Sequence, residues 1–472
     1  MKLNRPLLCR GRLSFISINR EGVIMGYRDL REFLQRLKQE GELIEIEEEL
    51  DPKYEVTAIL EKLGGQESPA VLFKNVKGYN IPVAGNLLGS RKRLALILET
   101  TVEGMHEEYL KRKSRGIPAQ MVSQAPVKDV VIRENIDLVS LFPILTNHEL
   151  DAAPYITQGL VFMRDPVSGK VTVGVHRLQV KGKNRLCVQL VSRTSTEFYR
   201  HAEERNEPLE VVVAIGVDPA LLLTAVTWFP FGDKIELAGG LRGAPLELIK
   251  GETVGLDIPA HAMIVLEGKI PPHVRETDGP FGESSGYYTT VQSPVVEIQA
   301  VCCQKDPIYA VFKPWSIEDD LILNISWAGE GFKKLKNDLP SLRGLKLSWN
   351  ASTAIISIKK RNEGEARRAI YLALMNNFYI KQAIIVDDDV DIYNPREVEW
   401  AIATRFQPDR DLVVIPNVEA NPLDPSVRDG VIGSKFGIDA TKTLGEDDRF
   451  KKIAVPPAAE SKAKKILERY NL

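Results

Sequence analysis

Two carboxylates five positions apart, Asp278 and Glu283, stand in the stretch Asp278-Gly-Pro-Phe-Gly-Glu-Ser-Ser-Gly-Tyr-Tyr288. Its glycines and proline speak against a regular element and predict a shaped loop. Gly279-Pro280 and Phe281-Gly282 would turn the backbone so that both acids lie on one side, with the apolar Phe281 between them. Paired carboxylates on a rigid loop suit proton transfer, because a neighbouring acid and partial burial both raise a pKa toward working pH. A solvated surface turn is the plainer alternative. Upstream, Val173-Gly-Val-His-Arg-Leu-Gln179 reads as a strand with an arginine inside it. If one face of that strand looks inward, Arg177 needs a partner, since an unpaired buried charge is costly. Two readings stay open: a rim arginine paired with a structural acid, or a fork that holds a substrate carboxylate.

Other signatures are missing. There is no G-x-G-x-x-G after a strand, no Walker A loop and no H-E-x-x-H. Gly239-Gly-Leu-Arg-Gly243 is glycine-rich but fits no phosphate loop. Asp387-Asp-Asp-Val-Asp391 offers hard oxygen ligands for a divalent cation, or acids that cap the next helix and pair with nearby arginines. The 472 residues carry 62 basic and 64 acidic side chains, a net charge of -2. That balance gives no footprint for nucleic acid and no polybasic membrane anchor. The 4 cysteines have no zinc-ligand spacing, and no apolar run is long enough for a membrane span. A reducing, cytoplasmic setting is expected. Residues 1–24 are basic and interrupted by Arg10, Arg12 and Arg20, and read as a disordered lead or a misassigned start.

The elements that position these groups fall into three textures. Residues 25–120 read as an α/β domain. It opens on an amphipathic helix from Tyr27 with Leu30, Phe33, Leu34 and Leu37 on one face. Lys111-Arg-Lys113 reads as a solvated linker. Residues 121–315 carry many short strands, Leu222–Val226 among them, with few helices, and imply a barrel or strongly curled sheet. Residues 316–455 return to strand–helix alternation, which argues for a mostly parallel sheet. Residues 456–472 follow Pro456-Pro457 as a charged helix that would dock on a neighbour or a second subunit.

The order of these pieces resembles the UbiD family, the 3-octaprenyl-4-hydroxybenzoate carboxy-lyase type. The likeness runs through Arg28–Leu34, Asp151-Ala-Ala-Pro-Tyr-Ile-Thr157, Gly174–Gln179, Ala238–Gly243, Asp278–Tyr288, Asp387–Trp400 and Gly433–Thr441. It implies a mixed α+β fold in which a flavin-reductase-like split β-barrel holds prenylated FMN between two α/β portions. The implied activity is reversible, non-oxidative decarboxylation of an aromatic or α,β-unsaturated acid. An acid–arginine–acid network would fall on Arg177, Asp278 and Glu283, with Arg177 orienting the substrate carboxylate and Glu283 delivering the proton. Cofactor contacts would come from Thr172, Val175, His176, Arg177, Gln189, Leu190, Val191, Arg193 and Lys234. Relatives place Asn, Glu and often His around a divalent metal (manganese or magnesium), with potassium nearby, at the cofactor phosphate. Here Thr172 and Lys234 occupy the Asn and Glu positions, and Glu236 is the remaining acid in that stretch. Lys234 is therefore expected to replace the ion. The implied partners are a carboxylic acid or CO2, a flavin prenyltransferase that supplies the cofactor, and identical subunits in a homodimer or homohexamer. Two rivals remain: a cofactor-poor aryl carboxylase subunit, and a non-catalytic family member.

Overall fold

The computed structural model describes residues 26–65, 67–229, 232–348, 351–377, 379–421, 423–428, 432–446, 448–467 and 469. The expected N-terminal lead lies outside the described residues. The chain divides into two compact units. One comprises residues up to Gly331 together with Leu347–Ala351, the other Phe332–Lys346 and the chain from Ser352 onward.

The first helix of the first unit spans Leu30–Gln39 and starts later than Tyr27, because the Asp29 side chain caps it by accepting from Glu32 N. Leu30, Phe33, Leu34 and Leu37 are its buried face, as the spacing predicts. Leu43–Leu50, Ala70–Val76, Val83–Gly85 and Tyr309–Ala310 form a four-stranded sheet in that order. Lys111–Lys113 is no linker but the last turn of the Met105–Lys113 helix. Buried Met105 and Tyr109 anchor that helix, and Glu108 pairs with both Lys111 and Arg112.

A ten-stranded sheet dominates this unit. Its main path runs Tyr155–Ile156, Leu178–Val180, Arg185–Val188, Tyr288–Cys303, Ile264–Ile270, Leu209–Ile215, Leu160–Arg164, Val171–Val175. Three residues join the first strand of that path to the seventh, and two, His176 and Arg177, join the eighth to the second. So short a link spans only about 10 Å, so the two ends of the sheet must stand side by side. His176 N donates to Gly159 O at 3.4 Å, one step beyond the Leu160–Val175 pairing, so the two linkers run side by side. The sheet is therefore curled into a barrel whose seam is spanned by loops instead of a ladder. Val173–Gln179 is accordingly not one strand; it breaks at the seam, with Arg177 in the break.

Three helices in this region were not expected from the strand-rich pattern: Arg193–Glu204, Pro219–Val226 and Lys234–Arg242. Leu222–Val226, read as a strand, is helical because Asp218 caps it by accepting from Ala220 N and Leu221 N and Pro219 fills its first turn. Burial of nearly all its residues hides the helical period. Asp278–Gly282, read as a loop, belongs to the strand Arg275–Gly282, paired antiparallel with Tyr288–Cys303. The register slips between Asp278 and Phe281, and Pro280, which lacks an N–H, falls in that bulge. Only Glu283–Tyr287 is loop.

The second unit holds a five-stranded sheet in the order Leu342–Ser348, Thr353–Ile358, Gln382–Asp387, Ile432–Ala440, Leu412–Glu419. Thr353–Ile358, Gln382–Asp387 and Ile432–Ala440 run parallel, and Leu412–Glu419 is an antiparallel edge. The acids after Gln382–Asp387 follow the second of their two readings: Arg405 Nη1 donates to Asp387 Oδ2 at 2.6 Å and to Asp389 Oδ1 at 3.0 Å. The terminal helix Pro457–Leu467 has no buried residue.

Gly239 and Gly240 are explained by packing. A Cβ at Gly239 would stand 2.4 Å from Ile117 O, and one at Gly240 2.4 Å from Arg115 O and 2.8 Å from Arg112 O. Only bare backbone lets the Lys234–Arg242 helix lie this close to the chain at 112–117. Gly240→Ala is expected to destabilise the first unit by about 1–3 kcal/mol. Gly364→Ala, where the nearest atom would be 3.4 Å away, should leave stability unchanged. Denaturant midpoints of the two variants check this, and equal midpoints would refute the close-approach account.

Candidate active site

Arg177 occupies the barrel seam at 8% exposure, and its three nitrogens turn toward one hairpin. Nε donates to Asp278 Oδ2 at 3.3 Å. Nη2 lies 3.3 Å from Asp278 Oδ1 and 3.5 Å from the Asp278 carbonyl oxygen. Nη1 donates to Glu283 Oε1 and, at 2.9 Å, to Thr289 Oγ1. The guanidinium carbon lies 5.0 Å from the centroid of the Phe281 ring. The bulge after Asp278 and the end of the strand at Gly282 thus bring both acids to one guanidinium. Burial holds the Glu283 carboxyl above the usual carboxylate range against the opposing pull of Arg177.

Several partners of this network were not singled out in the sequence. Asp278 is fully buried and also accepts from Tyr155 OH at 3.2 Å and Ser293 Oγ at 3.0 Å. Thr289 donates to Glu283 Oε1 at 3.1 Å. Gln179 Oε1 accepts from Gly279 N at 3.1 Å and ties the bulge to the strand that follows Arg177. Thr289 and Ser293 sit at even spacing on one strand, a signal visible once Arg275–Gly282 is read as its partner. Asp151 accepts from Asn147 N, His148 N and Gly282 N, fastening the His148 loop to the hairpin that carries Asp278 and Glu283. His148 is pushed below its ordinary pKa by burial, and its ring lies where a Gly282 side chain would be, 2.4 Å from that Cβ position.

The cofactor-side residues separate into groups. His176 is buried, with Nδ1 on Gln189 O at 2.9 Å and Nε2 on Ser195 Oγ at 3.3 Å. Burial lowers its pKa to about 4, so the ring is neutral. Leu190 O accepts from Thr196 Oγ1, Val191 is exposed, and Arg193 opens the helix capped by Ser192. Val175 is half-buried at the seam. Thr172 is buried opposite Met163. Lys234 Nζ donates to Val173 O at 2.7 Å and to Ala225 O at 3.1 Å. Burial pushes its pKa down to about 8. Glu236 is exposed, with Oε2 beside Gly116.

These residues fit a flavin better than they fit a metal. Gln158 Nε2 and Ser285 Oγ are buried polar atoms without a partner among the described residues, one beside the seam and one in the loop after Glu283. A polar ring system bound there would satisfy them. A divalent ion finds no such set: among the described residues no three His, Cys, Asp or Glu side chains are grouped to hold one. His176 has both ring nitrogens engaged, and Glu236 is turned to the surface at Gly116.

Known proteins agree with this architecture. Residues 34–113, 120–315 and 330–440 match the N-terminal, Rift-related and C-terminal domains of 3-octaprenyl-4-hydroxybenzoate carboxy-lyase. The chain is 33% identical over 432 residues to anhydromevalonate phosphate decarboxylase of Methanothermobacter thermautotrophicus, covering 90% of this chain and 99% of that one. It is 34% identical over 448 residues to phenolic acid decarboxylase of Bacillus subtilis, covering 90% and 94%. The UbiD-class enzyme HmfF from Pelotomaculum thermopropionicum, solved with FMN, superposes with a TM-score of 0.88 at 40% identity over 92% of this chain and 98% of that one. An evolved dimeric form of HmfF, solved with prFMN, gives a TM-score of 0.84 at 39% identity over the same shares. With all three domains matched along most of its length, the chain belongs to the UbiD family of carboxy-lyases.

Proposed function

We propose that this protein catalyses the reversible, non-oxidative decarboxylation of an aromatic or α,β-unsaturated carboxylic acid, with prenylated FMN as cofactor supplied by a flavin prenyltransferase. The observation that carries the proposal is the buried Arg177 clamped between Asp278 and Glu283 at the barrel seam. The flavin complexes of HmfF support the cofactor. When bound, the flavin supplies an electron sink for the bonding pair left behind as CO2 departs.

Arg177 orients the substrate carboxylate, and Asp278 holds Arg177 through Nε and Nη2. Nη1 is taken by Glu283 and Thr289, so an incoming carboxylate competes with ionised Glu283 for that donor. Protonation of Glu283 weakens its hold and frees the N–H for the substrate, which couples carboxylate binding to proton loading. The carbon–carbon bond then breaks, CO2 leaves, and Glu283 gives its proton to the carbon that lost CO2. Solvent reprotonates Glu283 for the next cycle. In the carboxylation direction the same carboxylate takes the proton away.

Glu283→Gln keeps the shape and resembles the protonated acid. Turnover is expected to fall by about two or more orders of magnitude, with KM and flavin content near the wild-type values. Arg177→Lys should lose turnover and raise KM together, because an ammonium cannot make the forked contact. Steady-state kinetics with flavin absorbance decide, and near-normal turnover in either variant rejects the assignment.

The pH dependence follows from the raised pKa of Glu283. The productive form is the acid, so kcat/KM for decarboxylation should hold below that pKa and decline as pH rises through it. The declining limb should vanish from the residual activity of Glu283→Gln. An unchanged alkaline limb in that variant would place the titrating group elsewhere.

A further inference from the structure

We infer that the ammonium of Lys234 is the fixed counter-charge for the phosphate of the flavin cofactor, so that this protein binds its flavin without a divalent metal ion. The inference rests on the flavin reading above. Lys234 Nζ is held by two backbone carbonyls, Val173 O at 2.7 Å and Ala225 O at 3.1 Å. An ammonium has three N–H donors, and among the described residues the third has no acceptor. No carboxylate pairs with it among the described residues. The charge that acts on it is another cation, Lys113, which itself pairs with Glu330 at 3.0 Å. A cation fixed this firmly, without an acid, is a site waiting for an anion.

The surroundings point to the same ligand. The helices Arg193–Glu204 and Lys234–Arg242 both pack on the strand Val171–Val175, whose Val173 carbonyl holds the ammonium. The first of them is 12 residues long, and its Ser192 cap takes Ser195 N, so an anion at that end would meet the positive pole of the helix. His176 lies within electrostatic reach of Lys234 and is bonded to Ser195 in that turn. A divalent ion beside Lys234 would repel it strongly at such short range. Glu236, the acid left in that stretch, is turned to the surface at Gly116, and His176 has both ring nitrogens engaged.

The test titrates full-length protein, produced without prenylated cofactor, with FMN and with riboflavin, following flavin fluorescence before and after EDTA treatment. Wild-type protein is expected to prefer FMN over riboflavin, and the preference should survive EDTA. Lys234→Met should weaken FMN binding by roughly ten- to hundredfold and leave riboflavin binding unchanged, as loss of a charge-assisted bond to the phosphate alone requires. FMN binding that disappears with EDTA and returns with manganese or magnesium overturns the inference, as does a Lys234→Met variant that keeps the wild-type preference. Should Lys234→Met fail to fold, metal analysis of the wild-type FMN complex decides: substoichiometric metal supports the inference and one ion per flavin rejects it. Wild-type protein that binds neither flavin under any condition overturns the flavin reading as well, and so separates the two failures.

Discussion

A guanidinium that cannot shed its proton, enclosed at the seam of a barrel, is the constraint from which the rest of the site follows. Arg177 is 8% exposed, and a charge so enclosed is tolerable only with opposite charge and hydrogen bonds around it. One hairpin delivers both: Asp278 and Glu283 as anions, Thr289 and Ser293 as hydroxyls, with Tyr155 from the facing strand. Breaking such a buried pair costs about 3–5 kcal/mol, so the hairpin and the seam hold each other in place. Curling of the sheet makes this possible, because it brings the eighth strand of the path, before Arg177, back to the second, after it.

The two acids are not equivalent, and the difference lies in their hydrogen bonds. Both Asp278 oxygens are engaged, by Arg177, Tyr155 and Ser293. Among the described residues Glu283 is held through Oε1 alone, by Arg177 and Thr289, and burial shifts it toward the protonated form. A carboxyl bound on one side and poised to accept a proton suits transfer chemistry. One fixed from every direction suits orientation.

A second contrast separates two cations near the strand Val171–Val175, the buried Arg177 and the half-buried Lys234. Arg177 has two acids and Lys234 has two carbonyl groups. A lysine can respond to such a place by losing affinity for its proton, and burial does lower its pKa to about 8. An arginine cannot respond this way, which is why the fold surrounds it with acids. The neutral His176 between them engages both ring nitrogens and adds no charge.

Much of the site's chemistry was legible from residue types alone. Arg177, Asp278 and Glu283 stood out because an arginine within a strand and paired acids among glycines are unusual, and the amphipathic Leu30–Gln39 helix is written in local spacing. Conformation at the same positions was less legible. Asp278–Gly282 reads as a loop because glycine and proline are turn formers, yet pairing with Tyr288–Cys303 absorbs them into a bulged strand. Leu222–Val226 is apolar but for Thr224 and lost its helical period to burial on nearly all sides, although Asp218-Pro219 carried the start signal. The Gly239-Gly240 pair fits no phosphate loop, and its reason, a close backbone approach, appears only in the packing. Local spacing reports which face of an element is apolar, because that is a property of one segment. It does not report which carbonyl meets Lys234 or which hydroxyl meets Asp278. Those partners lie 61 and 9 residues from Lys234 and 123 and 15 residues from Asp278, and only closure of the sheet brings the distant ones together.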